Sequence, residues 1–227
     1  MKKNILTQFF FTFHFIFLTS CAGYKFNDNS NPLLSYNIRS ISIPMFVNRS
    51  NFVGLSPMLT KEIYNVFSDF PGLQVVSGSQ LDTDAVLIGV IESENEYMSS
   101  YKNAQNLFTK SQSSLTQSIG LRVPFYYAAN TTYNYIVHYY LIKRPSALEI
   151  SELSGNAHPY FSLNPKVVLR ESLVTSGSFD RVVKALNQTE RGGEVNFTKN
   201  KGIEAKSLED STIQAASLFK QVVLNAF

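Results

Sequence analysis

Two amphipathic helix patterns, one in the first third of the chain and one at its end, constrain the fold most. The first begins at Ser56 as N-cap, has Pro57 at its first position and stops at Pro71 and Gly72. The second covers residues 207–225, with acidic residues near its start and Lys220 near its end, as the helix dipole prefers. Each carries an apolar stripe that must be buried: Leu59, Ile63, Val66, Phe67 and Phe70 in the first, and Leu208, Thr212, Ala215, Phe219, Val222 and Val223 in the second.

Strand patterns account for most of the remaining apolar residues. Residues 38–46, 73–77, 85–91, 132–144 and 166–174 read as strands, and 38–46 and 132–144 alternate regularly between two faces. Residues 85–91 are apolar throughout, which is typical of a central strand. The order strand, helix, four strands, helix predicts an α+β fold with both helices packed on one face of a small mixed β-sheet.

Polar segments separate these patterns. Residues 99–132 and 145–165 are expected to be long polar insertions, as loops or extensions, because they hold few aliphatic residues. Residues 178–186 are expected to form a short helix, and residues 189–202 a flexible segment. The chain is therefore expected to have one α+β domain, residues 38–227, preceded by a polar tether, residues 21–37.

The N-terminus carries an export signal. Lys2 and Lys3 precede an apolar run that is too short to span a bilayer and that leads, through small residues, into Cys21, the single cysteine. An ordinary secretory signal with an incidental cysteine is one interpretation. The sequence Leu-Thr-Ser-Cys, however, resembles the lipobox of bacterial lipoproteins. That resemblance implies cleavage after residue 20 and acyl chains, palmitate among them, on Cys21; Ala22 in the next position favours the outer membrane.

Removal of residues 1–20 would leave 207 residues, with 18 basic and 17 acidic side chains. Such a length is sufficient for one domain with a substantial core. The near balance of charges argues against a nucleic-acid partner and against a strongly basic membrane-binding surface. With Cys21 acylated, no thiol is left for a disulfide or a metal, so packing must supply the stability.

Chemistry-bearing motifs are scarce. His138 lies in a strand pattern and His158 in a loop, and neither has the neighbouring ligands of a zinc site. A Ser-His-Asp triad built on His138 stays open, although no nucleophile elbow supports it. Glu92, Glu94 and Glu96 share one strand face, which is either a cation site or, more simply, a solvated face. We therefore expect no catalytic residue, no metal and no cofactor.

Tyrosines and basic residues are the candidate contact groups. Tyr133, Tyr135 and Tyr139 share one face of the predicted strand 132–144, and they fit either a core with hydroxyls at its rim or a protein–protein interface. Four cations lie near the ends of the last two strands and would form a phosphate-binding patch if those ends are adjacent; scattered surface charge is the alternative. They are Lys143, Arg144, Lys166 and Arg170.

Several stretches resemble, in order, the LptE family of outer-membrane lipoproteins. The mature start "CAGYKF" (21–26) is similar to the family's Cys-Gly-Tyr beginning, and "ISIPMFVNRS" (41–50) to its strand ending in Pro-x-Phe-x-Asn. "LSPMLTKEIYNVF" (55–67) is similar to its first helix, and "DTDAVLIGVIESE" (82–94) to its Ala-Asp-x-x-Leu-x-Gly strand, with Asp84 and Ala85 reversed. The C-terminal helix takes the place of the family's second helix.

The resemblance implies a lipid-anchored protein on the periplasmic face of the outer membrane, seated in the lumen of a large β-barrel, LptD, and in contact with lipopolysaccharide. It implies no catalysis. Under it, the tyrosines become a partner interface and the four cations a lipopolysaccharide contact, although the family's basic residues do not align with these positions. The segments 99–132 and 145–165 are longer here than in the family pattern, which bears on the fit to a barrel.

Two other function classes remain open. One is an envelope lipoprotein accessory to a secretion pore of the curli type, whose strand–helix–strand pattern is shared. The other is a membrane-tethered periplasmic enzyme that uses His138.

Overall fold

The structure is a computed structural model, and it describes residues 30–93, 101–109, 125–155, 164–187, 190–195 and 197–224. Residues Asn31–Phe227 group as one unit. The helices are a 3₁₀ turn at Leu34–Tyr36, α1 (Leu55–Ser68), α2 (Ala147–Gly155) and α3 (Phe197–Val222). The strands are β1 (Ser40–Ile43), β2 (Val47–Asn48), β3 (Gln74–Ser77), β4 (Ala85–Glu92), β5 (Tyr101–Thr109), β6 (Phe125–Lys143), β7 (Val167–Asp180), β8 (Val183–Asn187) and β9 (Glu190–Val195).

Seven strands form one mixed sheet. Its path is β3-β1-β4-β6-β5, with β2 also beside β4 and β7 beside β6. The pairs β1–β3, β1–β4 and β2–β4 are parallel, whereas every pair that includes β6 is antiparallel. Strand β6 is 19 residues long: its first half pairs with β5, its second half with β4, and β7 follows it for most of its length. Strands β8 and β9 form a separate hairpin.

Helices α1 and α3 pack side by side on one face of the sheet. Leu59, Ile63 and Phe67 of α1 are fully buried with Phe219 of α3, and the rings of Phe67 and Phe219 lie 5.6 Å apart. These side chains are buried together because residues three and four positions apart lie on one face of a helix, which is the spacing that predicted two core-facing helices. The α+β prediction, with two helices on one face of a mixed sheet, is confirmed.

The other face of the sheet holds a smaller apolar cluster. It consists of Val86, Ile88, Val90, Tyr140 and Ile142, and Ile150 of α2 packs against it. Helix α2, within a segment that was expected to be a polar insertion, was not predicted. It starts with a capping box in which the Ser146 N–H donates to Glu149 Oε2 (2.6 Å) and the Glu149 N–H donates to Ser146 Oγ (3.2 Å).

The start of α1 differs from the prediction. Its N-cap is Gly54, at φ +89°, a left-handed conformation that glycine adopts without the strain of a Cβ. Ser56 lies inside the helix, and its hydroxyl donates to the Phe46 carbonyl oxygen. Thr60 Oγ1 accepts the Phe46 N–H (3.0 Å), so both hydroxyls hold the chain between β1 and β2 against the helix.

A close approach inside the core explains one glycine of the apolar strand β4. A Cβ on Gly89 would lie 2.3 Å from the ring of Phe46, which in turn packs edge-on against Tyr139 with ring centroids 6.0 Å apart. Only hydrogen fits at this position, so Gly89 brings the Phe46 ring down onto the sheet.

Several segment predictions differ from the structure. Residues 101–109 and 125–131, which were expected to be a loop or an extension, are strands that pair with each other and extend the sheet. The expected short helix at 178–186 is the end of β7 followed by β8, and residues 190–195 form β9. Helix α3 starts at Phe197, ten residues before the predicted start. The prediction missed these residues because the first turns are largely exposed and polar and so carry little apolar periodicity.

Candidate functional site

The predicted lipid-attachment residue, Cys21, and the signal segment lie outside the described residues. The folded unit begins close behind them. Asn31 Nδ2 donates to the Ile38 carbonyl oxygen (2.8 Å), Asn31 Oδ1 accepts the Leu33 N–H (2.9 Å), and the Leu33 side chain is fully buried. Residues 31–33, which were expected to belong to the tether, are therefore packed against the domain, and residues 34–37 follow as an exposed turn.

The three candidate interface tyrosines lie in the core beneath α3. The Tyr133 hydroxyl donates to the Ser207 carbonyl oxygen (2.7 Å), and the Tyr135 hydroxyl bonds Ser211 Oγ (3.1 Å). The Tyr139 ring packs against the Phe219 ring at a tilt of 42°, with ring centroids 4.5 Å apart. At most 3% of each side chain is exposed, so these tyrosines join β6 to α3 and present no contact area at the surface of this fold.

Burial also sets the acid–base state of these tyrosines. It raises the pKa of Tyr135 to about 12 and that of Tyr139 further still. Among the residues that the structure describes, none bonds the Tyr139 hydroxyl. A buried hydroxyl without a partner costs free energy, so Tyr139 is a structural liability within an otherwise well-packed core.

Two of the four candidate cations are neutralised locally. Arg144 lies 3.6 Å from Asp84, and Lys166 lies 2.9 Å from Glu149. The two strand ends are adjacent, which is the condition that the phosphate-patch interpretation required: the Lys143 N–H donates to the Lys166 carbonyl oxygen (2.9 Å).

The other two cations are placed differently. Lys143 Nζ donates to the Tyr36 carbonyl oxygen (2.9 Å). Arg170 lies further along β7, opposite Tyr140, and is exposed. Three of the four cations therefore lie at the strand ends, and Arg170 is apart from them.

Both acids in this region are held ionised. The backbone N–H of Ser146, with Lys166 as the next contributor, lowers the pKa of Glu149 to about 2. The Arg39 N–H lowers the pKa of Asp84, whose carboxylate also accepts the Ser40 N–H at 3.2 Å. An anionic ligand would have to compete with these carboxylates for Arg144 and Lys166.

A polar row across three strands was missed by sequence reasoning. On the face opposite the two long helices, His138 Nδ1 lies 2.6 Å from Ser172 Oγ, and His138 Nε2 lies 3.4 Å from Glu92 Oε2. Arg49 lies 3.5 Å from the same carboxylate. Sequence reasoning singled out Glu92 and His138 separately; Ser172 could be found only from the β6–β7 register, which places it directly opposite His138.

The row has the members of a Ser-His-acid triad but lacks part of its machinery. Ser172 is in the middle of β7, where backbone N–H groups lie in the plane of the sheet. An oxyanion hole requires donors that point at the attacked carbonyl group, above the serine hydroxyl. The described strand around Ser172 does not supply them, so the arrangement fits a hydrogen-bonded strand face better than a hydrolase centre.

An open groove of about 1040 Å³ runs between the second half of β7 and α3. Its lining is polar and of mixed charge, and includes Ser176, Ser178, Asp180, Lys199, Lys206 and Asp210. Within the described ranges, no three His, Cys, Asp or Glu residues are grouped so as to hold a metal ion. None of the helices described is both long and apolar enough to cross a membrane.

Comparison with known proteins finds no matching family model and no matching curated protein. Among solved structures, the chain is similar to a suspected lipoprotein from Caulobacter crescentus, with 10% identity, TM-score 0.38, and coverage of 80% of this chain and 89% of the other. It is similar to rare lipoprotein B from Shewanella oneidensis, with 9% identity, TM-score 0.33, and coverage of 81% and 95%.

A third similar structure is lipoprotein GNA1162 from Neisseria meningitidis, with 10% identity, TM-score 0.30, and coverage of 75% and 96%. Identities of about one in ten, with TM-scores below 0.5, do not assign the chain to a family, and they carry no argument about function.

Proposed function

We propose that this chain is a bacterial lipoprotein of the outer membrane that binds a large β-barrel partner of the LptD type and assists the assembly of lipopolysaccharide. The observation that carries the proposal is the N-terminal sequence: a charged start, a short apolar run and Leu-Thr-Ser ahead of Cys21. A packed α+β unit begins only ten residues later, at Asn31. The order of the LptE-like stretches supports the finer part of the proposal.

The short spacing has a mechanical consequence. Ten residues span at most about 35 Å when fully extended, so an acylated Cys21 would hold Asn31 within that distance of the bilayer surface. Several acyl chains make such an anchor stable, since each buried methylene contributes about 0.8 kcal/mol. A domain held this close suits contact with a protein embedded in the same membrane.

The first experiment tests the anchor. The full chain and its Cys21→Ser variant are expressed in a Gram-negative host, and their mass and membrane fractionation are compared, with Ser20→Ala as the control. The expected result is an acylated species in the outer-membrane fraction and a soluble Cys21→Ser species. An unmodified cysteine on a soluble wild-type chain would overturn the proposal.

The second experiment identifies the partner. The tagged full chain is purified from detergent-solubilised outer membrane, and its tightest companion is weighed by mass spectrometry. A co-purifying barrel supports the proposal, provided that depletion also lowers surface lipopolysaccharide. A ring of more than two copies with no barrel companion, or a hydrolytic activity lost in His138→Ala, would each replace it with one of the two other function classes.

Lipopolysaccharide contact is tested separately at the strand ends. The head groups of Arg144 and Lys166 are 75% and 45% exposed at the side chain, so a phosphate could reach them despite Asp84 and Glu149. The double variant Arg144→Gln, Lys166→Gln is expected to weaken binding of purified lipopolysaccharide several-fold. Lys61→Gln, at a cation on α1 that is as exposed as Arg144, is the control, and equal loss in both variants would contradict a specific contact.

A further inference from the structure

Strand β7 presents a long and regular edge. It has 14 residues, and β6 is the strand with which it pairs among the described residues. The other edges of the sheet are short or irregular. Strand β3 has four residues, and the pairing of β5 with β6 contains two register shifts. Short strands and bulges are the usual means by which proteins prevent edge-to-edge pairing. From residue 169 to residue 180, β7 has no proline and its pairing with β6 has no register shift.

The outward hydrogen-bonding groups of β7 follow from its register. The Arg181 N–H donates to the Ala129 carbonyl oxygen (2.7 Å), so odd-numbered residues direct their backbone groups to β6. Even-numbered residues, from 170 to 180, therefore direct theirs outward. The Ser178 carbonyl oxygen agrees, because it accepts a hydrogen bond from Ser207 Oγ of α3 (3.0 Å) and not from β6.

Charge selects one register for a strand added to this edge. Arg170 and Asp180 are exposed and lie on the same face of β7, near its two ends. Asp180 accepts a hydrogen bond from Asn130 (2.6 Å), and Arg170 makes no ion pair among the described residues. An antiparallel copy of β7 centred on Thr175 places Arg170 of each chain opposite Asp180 of the other. The same register aligns outward groups with outward groups, at residues 170, 172, 174, 176, 178 and 180.

We propose that two copies of this chain pair β7 to β7 in antiparallel orientation about Thr175, with Arg170 of each copy bound to Asp180 of the other. Each of the six aligned pairs exchanges two backbone hydrogen bonds. Opposite charges that face each other across two strands stabilise the pairing, and like charges oppose it. The result is one continuous sheet through both copies.

The groove beside α3 gives the added strand its space. It lies along Ser176–Asp180, the half of β7 over which α3 passes, and its volume is about 1040 Å³. Glu171 of the second copy would lie opposite Phe179, on the face of the sheet that α3 covers. Lys199 of α3 lines the groove there, whereas Lys206 is already paired with Asp210 (3.0 Å), so the charge match between Arg170 and Asp180 alone selects the register. Ser178 keeps its bond to Ser207, since a carbonyl oxygen has two lone pairs.

A charge-swap experiment tests the pairing on the full chain in detergent. Sedimentation is measured for the wild type, Arg170→Asp, Asp180→Arg and the double variant, with Lys61→Asp on α1 as the matched control. We expect a wild-type dimer, about tenfold weaker association in each single variant, and recovery in the double variant. A monomeric wild type, or single variants that sediment like the control, would overturn the proposal.

A disulfide experiment tests the register independently of folding effects. Val174 is exposed, and the proposed register places it opposite Ser176 of the second copy. Cα atoms of such a pair are about 5.5 Å apart, a distance that a disulfide spans. Two differently tagged chains, Val174→Cys and Ser176→Cys, are co-expressed and oxidised. A mixed dimer absent from either variant alone and from the unsubstituted chain is expected; equal cross-linking in all samples would refute the register.

Discussion

The unbonded hydroxyl of Tyr139 makes a prediction whose sign is unusual for a core substitution. Tyr139→Phe removes an oxygen that is fully buried and has no hydrogen-bond partner among the described residues, while it keeps the ring on Phe219. Leaving a buried polar group without a partner costs about 1–3 kcal/mol, and removing the group recovers that free energy. The small void left by the oxygen destabilises the variant slightly and offsets part of the recovery. We therefore expect the variant to be more stable by about 1 kcal/mol, which raises Tm by about 3 °C in a domain of this size.

Tyr135→Phe is the matched comparison, four residues earlier in sequence and two positions along the same face of β6. Ser211 Oγ donates its own hydrogen to the Leu208 carbonyl oxygen (2.7 Å), so the Tyr135 hydroxyl is the donor to Ser211. Loss of that bond should destabilise the protein by about 1 kcal/mol and lower Tm by about 3 °C.

Thermal unfolding of both variants and the wild type, followed by circular dichroism at one pH and one detergent concentration, measures the difference. Opposite shifts are expected. If both variants lose the same stability, the Tyr139 hydroxyl has a partner, such as a buried water, and the reasoning fails.

Two further predictions concern backbone contact and pH. Gly89→Ala should destabilise the protein by about 3 kcal/mol, because its Cβ collides with the Phe46 ring, whereas Gly202→Ala in α3, with open space around it, should not; urea unfolding midpoints compare the two. The pKa of Glu149 is lowered to about 2 from its ordinary value of 4.5, so Glu149 contributes stability that is complete above about pH 5 and is lost as pH falls toward 2. Glu149→Gln should remove that part of the acid dependence, and an unchanged pH profile of Tm would contradict the role of the capping box.

The apolar elements were predictable from sequence because their signal is local. The stripe of α1 and the alternation of β6 are properties of one segment, and both appear in the structure with the expected faces. The early part of α3 and strand β5 were missed for the same reason, since their residues are largely polar and carry no apolar period. Gly54, not Ser56, is the N-cap of α1. The prediction looked for a side-chain hydroxyl, and such a rule does not detect a glycine that begins the helix through a left-handed backbone conformation.

The site could be predicted only in part, because it depends on register. His138 and Glu92 could be singled out from the sequence. Their contact with each other and the contact of His138 with Ser172 could not, because these residues lie 30 to 50 positions apart in sequence. The tyrosines illustrate the converse. Their alternation was visible, but whether that face met a helix or a partner depended on where α3 lies, and Ser207 and Ser211 gave no local signal of it.

The central place of β6 has a consequence for the order of folding. The antiparallel half of the sheet, from β4 to β7, is built around β6, and the span between β4 and the part of β6 that it pairs with covers residues 93–135. Closing a loop of that length costs conformational entropy before β4 and β6 can pair, so these long-range contacts should slow folding. Strands β1, β3 and β4 with α1 can associate as the chain emerges, but the sheet cannot close until residue 143 is available.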